Sequence, residues 1–297
     1  MNELLTSTIP TLQQAEESFI QSIKASKSTE TLRGYGIDLK QFRCWLSTDI
    51  NGPMFVDIIS EQHIHDYISY LKFERHICAM SINRKVNAIS SMFNYLMRKK
   101  IVLDNPAAGV DRLKVTTKER THLTKDEVDA LLQAIDHPIV HYVVVMMLNT
   151  GIRIRECVEL SLQNVDLTEK IVRVIEGKGG KNRVVPMNDY LVEEMRDYLD
   201  NHRPYTTSLN FFATEQSGRI SAQYVNVVIK EAVKKAGIQK KVSSHILRHS
   251  FASHLVNANV YVATISKLLG HADVRTTSVY MHSTNQQMND AVNKIDW

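Results

Sequence analysis

A glycine-rich turn between two strand-like runs predicts a β-hairpin in the second half of the chain. The run K-I-V-R-V-I-E at 170–176 alternates with the two-residue period of a strand, and R-V-V-P-M at 183–187 forms its partner. Residues 209–212 form a further short candidate strand. The other patterns have the three- and four-residue spacing of helices. The sequence therefore predicts a mainly α-helical chain with a small antiparallel sheet.

The hairpin turn, G-K-G-G-K at 177–181, lacks the spacing of a nucleotide-binding loop. The pattern G-x-x-x-x-G-K-[ST] is missing, and no helical pattern follows the turn directly. Glycine lets a backbone approach a ligand closely. The turn therefore fits contact with a ligand other than ATP, and no nucleotide cofactor is predicted.

The N-terminal third reads as four amphipathic helices joined by short turns. Their predicted caps or starting residues are Thr11, Ser28, Ser60 and Ser81. Asn105-Pro106 ends the last helix. The pattern predicts an N-terminal helical domain at 1–108, a polar and basic linker at 109–120, and a second domain at 121–297.

The fourth predicted helix carries an unbalanced charge. Between residues 81 and 100 it has five basic residues, including Arg84 and Lys85, and no acidic residue. Such a helix suits phosphate contacts or entry into a DNA groove, although a solvated amphipathic face has the same composition. Lys240 and Lys241 form a second basic pair that suits phosphate contacts.

Composition argues against a membrane protein and against a disulfide-rich protein. Hydrophobic residues make up 43% of the chain and charged residues 23%, and the net charge is +4. No run reaches the roughly 18 apolar residues of a membrane span, and no signal peptide is recognisable. Cys44, Cys78 and Cys157 are an odd number, widely spaced. They are predicted to be core residues of a cytoplasmic protein, with no metal site and no membrane partner.

The segment T-G-I-R at 150–153 places an arginine after a glycine turn, where a new helix begins. A helix N-terminus favours an anion, so Arg153 is a candidate phosphate ligand. A structural surface arginine is the alternative. Glu156 follows one turn later and is predicted to support a catalytic arginine or histidine.

The last quarter of the chain combines four residues suited to phosphodiester chemistry. His245 and Arg248 are three apart and share a helical face, and His271 and Tyr280 follow. Arginine binds phosphate as a charged fork, histidine moves protons near neutral pH, and tyrosine can be a covalent nucleophile. Together they suit attack on a phosphodiester without a metal. The alternative is a helical domain in which the histidines have no common function and the tyrosine is buried in the core.

The order H-x-x-R, L-G-H and a tyrosine nine residues later resembles the tyrosine recombinase (phage integrase-like) family. The likeness is greatest to Xer-type and transposon-encoded recombinases. T-G-I-R and G-K-G-x-K-x-R-x-V-P are similar to two further family motifs. The resemblance implies an N-terminal four-helix, SAM-like DNA-binding domain. It also implies a C-terminal α+β catalytic domain, mostly helical with a small antiparallel sheet.

The resemblance implies a role for each matched residue. The scissile phosphate would be held by Arg153, Arg248, His245 and His271, and Tyr280 would form a 3′-phosphotyrosyl link. Lys178 matches the general acid, with Lys181 as the fallback, and Arg183 would contact a backbone phosphate. The family's mechanism needs no cofactor, because the covalent link conserves the energy of the phosphodiester bond.

The resemblance also implies partners. These are double-stranded DNA with an inverted-repeat core site and three further subunits, as a homotetramer or a heterotetramer with a paralogue. A Holliday junction would be the intermediate. The apolar stripe within 285–297 would pass to a neighbouring subunit, with packing on its own domain as the alternative, and the protein would be nucleoid-associated.

Three other functions remain open at this stage. A type IB topoisomerase shares the tyrosine chemistry and relaxes DNA as a monomer. A zinc enzyme would use His245, His249 and His254, although no H-E-x-x-H motif occurs. A DNA regulator that only binds would need no catalytic set, yet all six matched positions are filled.

Overall fold

The computed structural model describes residues 9–48, 52–115, 121–177 and 181–270. It divides into two units, Met1–Lys118 and Glu119–Trp297. In the described ranges, no helix has the length and apolar character needed to cross a membrane.

In the described residues of the N-terminal unit, four α-helices form as predicted: α1 (Leu12–Ile23), α2 (Thr29–Leu46), α3 (Glu61–Ser69) and α4 (Ala79–Arg98). Thr11 and Ser28 cap α1 and α2 by accepting backbone N–H groups. The fourth helix begins two residues before its predicted start, and Cys78 is its N-cap. The helices enclose an apolar core that includes Leu39, Phe42 and Ile89.

The described part of the predicted linker belongs to the N-terminal unit. Val110 is 5% exposed and joins the core of that unit. Asn83 on α4 donates to the carbonyl of Leu113 and accepts from its N–H, both at 2.9 Å. These contacts hold 109–113 on α4, so a linker role stays a prediction only for residues nearer 120. Residues 116–120 lie outside the described ranges.

The second unit combines helices with the predicted small sheet. Its helices are α5 (Lys125–Ala134), α6 (Pro138–Thr150), α7 (Ile154–Val158), α8 (Asp189–Asp197), α9 (Ala222–Lys235), α10 (Ser244–Asn257) and α11 (Val262–Leu269). Its strands are β1 (Val165–Asp166), β2 (Ile171–Gly177) and β3 (Lys181–Pro186). They lie in the order β1-β2-β3 and are antiparallel throughout. The predicted hairpin is confirmed as β2 and β3, with Val172 opposite Val185.

The predicted third strand at 209–212 is wrong. Asn210 forms only an isolated bridge with Ser161. Arg203 donates to the carbonyls of Ser208, Asn210 and Phe211. A carbonyl bound by a side chain is less able to extend a strand ladder, and the third strand is β1 instead.

Helix α6 is the buried centre of the second unit, as its apolar sequence predicts. Val143 to Met147 are all 0% exposed. The helix packs against α7, α8 and α10, and its C-cap, Gly151, has a left-handed φ of 64°. This end positions Arg153 two residues later.

The cysteine prediction is wrong for two of the three residues. Cys157 is buried in the core, but Cys44 and Cys78 are exposed. Wide spacing in sequence does not distinguish a core position from a helix surface or cap.

Alanine at Gly151 is expected to lower the free energy of unfolding by about 3 kcal/mol. A Cβ there would lie 2.3 Å from Cδ1 of Phe251 and 2.9 Å from Cδ2 of Leu269, at a positive φ. Gly237→Ala is the matched control, because Gly237 has φ +69° with nothing within 4 Å of a Cβ. Its cost should be about 1 kcal/mol. Urea unfolding measures both, and equal losses would contradict the steric account.

Candidate active site

One buried carboxylate, Glu156, binds two arginines. Arg153 directly precedes α7, and its Nη1 donates to Oε1 at 2.8 Å while its backbone N–H donates to Oε2 at 2.9 Å. From β3, Arg183 donates through Nη1 and Nη2 to the same oxygens at 3.1 and 2.6 Å. The side chains of Glu156 and Arg183 are 7% and 11% exposed, whereas that of Arg153 is 24% exposed. The carboxylate therefore orients Arg153 while part of its side chain still reaches solvent.

Two opposing influences set the pKa of Glu156. Burial raises it, because the charged form loses its hydration. Hydrogen bonds from Arg183 and from the backbone and side chain of Arg153, with the charge attraction of Arg183, outweigh burial and lower the pKa to about 2. Glu156 is therefore a carboxylate at neutral pH. Two arginines and one carboxylate leave one net positive charge that can attract an anion.

Arg248 ties the turn before Arg153 to the end of α11. It lies on α10, is 6% exposed, and donates to the carbonyls of Gly151 and Leu269 at 2.6 Å each. Gly151 is two residues before Arg153. The two arginines predicted to hold phosphate are thereby connected through a single backbone turn.

Arg183 links the end of α11 to Glu156 and so completes a closed set of contacts. Its Nε donates to the carbonyl of Leu268 at 3.1 Å, beside the Leu269 carbonyl that Arg248 binds. We call this set the arginine circuit; it comprises Arg153, Glu156, Arg183 and Arg248 with the carbonyls of Gly151, Leu268 and Leu269. It joins α7, β3, α10 and α11, and it fixes the point at which the chain leaves α11 toward His271.

Gly270 allows the close packing at the end of α11. Its φ is 64°, and a Cβ there would lie 2.8 Å from Cδ of Arg183. A side chain at this position would push Arg183 away from Leu268 and Glu156. The glycine of the L-G-H motif is therefore explained by its contact with an arginine on the hairpin.

The structure describes some of the other residues that were predicted for the site, but not all of them. His245 is exposed in the first turn of α10, three residues before Arg248. Lys181 lies at the start of β3. Lys178, His271 and Tyr280 lie outside the described residues, so their predicted roles remain predictions.

The opposite side of α10 holds the first residues of the second unit. Ser250 accepts the N–H of Leu123 at 2.8 Å, and His254 donates to the Leu123 carbonyl at 3.1 Å. Lys240 donates to the carbonyl of His122 at 2.9 Å. These bonds fix α10, and with it Arg248, relative to the start of α5. Across the described ranges, no three His, Cys, Asp or Glu side chains cluster as a metal site would require.

Two stretches of the chain match models of known protein families. Residues 121–287 match the family model described as "Phage integrase family", and residues 17–100 match the one described as "Phage integrase, N-terminal SAM-like domain". The chain belongs to the phage integrase family. It is thus a tyrosine recombinase of the Xer type, an enzyme of site-specific DNA recombination.

Two curated relatives and one solved structure extend the match over nearly the whole chain. A tyrosine recombinase of Pseudothermotoga lettingae is 30% identical over 270 residues, 90% of this chain and 92% of that protein. Tyrosine recombinase XerC of Caldanaerobacter subterraneus subsp. tengcongensis is 32% identical, over 93% of this chain and 84% of that protein. The Tn1549 transposon integrase, solved with circular intermediate DNA, has a TM-score of 0.78 at 18% identity. It covers 96% of this chain and 99% of that chain, which confirms the predicted fold.

Three cations of this recombinase that are predicted to contact DNA bind other groups within the chain. Arg183 belongs to the arginine circuit. Lys85 donates to Asp38 at 3.0 Å with a side chain 8% exposed, and Lys240 donates to Glu127 at 2.5 Å. Arg84 also has an internal partner, Asp38, but its side chain is 55% exposed, and Lys241 is exposed; these two and Lys181 remain proposed DNA contacts.

Sequence reasoning missed how Arg183 is used. Its place beside a basic turn predicts a DNA contact, yet its guanidinium binds Glu156 and Leu268. A signal was present: a buried acidic residue within a motif that needs positive charge requires a second cation to offset it. The sequence does not show which of the nearby basic residues supplies that cation.

Proposed function

We propose that this recombinase cuts and rejoins DNA through a 3′-phosphotyrosyl link to Tyr280. The observation that carries the proposal is the arginine circuit, which connects Arg153 and Arg248 through one turn. Two positive groups held in place before the substrate arrives can neutralise the charge that builds on a phosphate in the transition state. DNA-bound structures of fold relatives support DNA as the substrate.

The proposed cleavage step transfers one phosphoryl group and moves two protons. The Tyr280 oxygen attacks phosphorus while its proton leaves to a base, for which exposed His245 is the proposed group. The bond from phosphorus to the 5′-oxygen breaks, and Lys178 protonates that oxygen as general acid. Arg153 and Arg248 bind the non-bridging oxygens, and His271 completes the cradle. Reversal with a 5′-hydroxyl from a partner strand rejoins the DNA without a cofactor.

The assembly we propose is a tetramer on two inverted-repeat sites, with a Holliday junction between two rounds of strand exchange. Residues 285–297 lie outside the described residues; in the proposed assembly their apolar stripe packs on a neighbouring subunit. The biological reaction is resolution of dimers or cointegrates, or integration, in the bacterial nucleoid. Support comes from family membership and from the Xer relatives.

A plasmid assay tests the proposed function. Two copies of a bound fragment from the chain's own genetic neighbourhood are placed on one supercoiled plasmid and incubated with the protein. Recombinant circles are expected, and none should form with Tyr280→Phe. Relaxed plasmid without recombinants would point to a topoisomerase. Binding without any strand exchange, even with a paralogous partner added, would point to a regulator.

A further inference from the structure

A buried carboxylate on α2 orients the exposed arginine of α4. Asp38 is 0% exposed, and its carboxylate faces the guanidinium of Arg84. Nη2 of Arg84 donates to Oδ1 at 2.9 Å, and Nη1 lies 2.9 Å from Oδ2. The Arg84 side chain is itself 55% exposed. The pair therefore has a fixed inner end and a solvent-facing outer side.

The charges of this cluster leave a positive balance. Lys85 also binds Asp38, at 3.0 Å, and donates to Gln41. Two cations share one carboxylate, so one positive charge is not balanced within the cluster. Asp38 accepts one of the five N–H donors of the Arg84 guanidinium as a hydrogen bond, and its second oxygen makes an ionic contact with Nη1. The remaining donors of Arg84 have a direction set by the carboxylate, which a mobile surface arginine would lack.

The adjoining face of α2 is basic and has an accessible backbone. Arg33 and Lys40 are both exposed on this face. Gly34 lies beside Arg84, with a Cβ position 3.6 Å from Nη1, and a Cβ on Gly36 would meet nothing within 4 Å. Glycine within a helix is less stable than alanine but lets a ligand approach the backbone closely. Exposed cations beside glycines fit a polyanion that lies against α2 and α4.

We propose that Arg84 reads a guanine base in the major groove of the recombination site. An arginine whose fork is held rigid can pair with O6 and N7 of guanine, which is the commonest specific contact in the groove. A phosphate contact would position the protein but carry no sequence information, so the two roles differ in base preference. Arg33 and Lys40 contact phosphates and place the helices. This inference rests on the proposed function, since it needs a specific DNA site.

Selection from a randomised duplex library tests the inference, and it works whatever the sequence of the recombination site. The full-length protein, Arg84→Lys and Arg84→Ala are each incubated with the library, and bound DNA is sequenced. The wild-type protein should enrich a guanine at one position of each half-site. Both variants should lose that preference by roughly 10- to 100-fold while keeping the other positions. Arg84→Lys should keep its affinity for sequences that lack this guanine, because it keeps the charge.

Arg98→Ala is the matched control, since Arg98 is an exposed arginine on the same helix. It should change no base preference. Thermal unfolding of each variant shows that the fold is retained. Loss of affinity that is equal for all sequences in Arg84→Lys and Arg84→Ala would overturn the base-reading role. If the wild-type protein selects no sequence at all, the proposed site-specific function fails together with this inference.

Discussion

Replacing Arg248 by lysine is expected to slow DNA cleavage by about 10²- to 10³-fold, the range seen when one preorganised donor to a developing negative charge is lost. The guanidinium spans the carbonyls of Gly151 and Leu269 at 2.6 Å each. A lysine ammonium is one point charge and cannot hold both groups in the same geometry. The end of α11 and the turn before Arg153 would no longer be held together by one side chain.

The measurement is single-turnover cleavage of a nicked duplex, followed on a denaturing gel. Arg196→Lys is the control, because Arg196 is an exposed arginine in the last turn of α8. It should cleave within about twofold of wild type, since surface substitutions away from special features have small effects. A wild-type cleavage rate in Arg248→Lys would contradict the role assigned to this arginine.

Replacing Glu156 by glutamine is expected to remove about 3 kcal/mol of stability at neutral pH. The folded pKa is about 2, below the ordinary glutamate value of 4.5. A group with a lowered folded pKa stabilises the fold above its unfolded pKa, and that contribution is lost as pH falls through the folded value. The wild-type protein should therefore lose this stability between about pH 4.5 and about pH 2. Glu156→Gln should lack this part of the acid dependence.

Cleavage at neutral pH should also fall in Glu156→Gln, since Arg153 and Arg183 would face each other without a carboxylate between them. Urea unfolding at a series of pH values measures the stability change. Glu159→Gln is the control, because Glu159 is an exposed residue at the end of the same helix. Parallel acid profiles for wild type and Glu156→Gln would show that Glu156 does not bridge the two arginines.

Local patterns predicted the elements but not the pairing of charges. Apolar spacing and the caps Thr11 and Ser28 suffice for α1 and α2, because the causes lie within a few residues. Arg84 and Asp38 are 46 residues apart, and Arg183 and Glu156 are 27 apart. Which cation meets which carboxylate depends on how the helices pack. A basic residue beside a DNA-binding motif could therefore be identified, but its structural or DNA-contacting role could not.

The reasons for two glycines were also predicted only in part. Gly151 and Gly270 stand out in the T-G-I-R and L-G-H motifs, and a turn is the expected reason for each. The structure adds a second reason, because Phe251, Leu269 and Arg183 occupy the space that a Cβ would need. These neighbours come from other parts of the chain. No pattern around either glycine identifies them.

Covalent trapping tests the central claim most directly. The protein is mixed with nicked duplex fragments from its genetic neighbourhood, denatured in detergent and resolved on a gel, with Tyr280→Phe beside it. The account predicts a protein–DNA adduct that forms in the presence of a chelator, is attached through the 3′ phosphate and is absent in Tyr280→Phe. An adduct that persists in Tyr280→Phe, or one attached through a 5′ phosphate, would contradict it. Specific DNA binding without an adduct, whether or not a paralogous recombinase is added, would also contradict it.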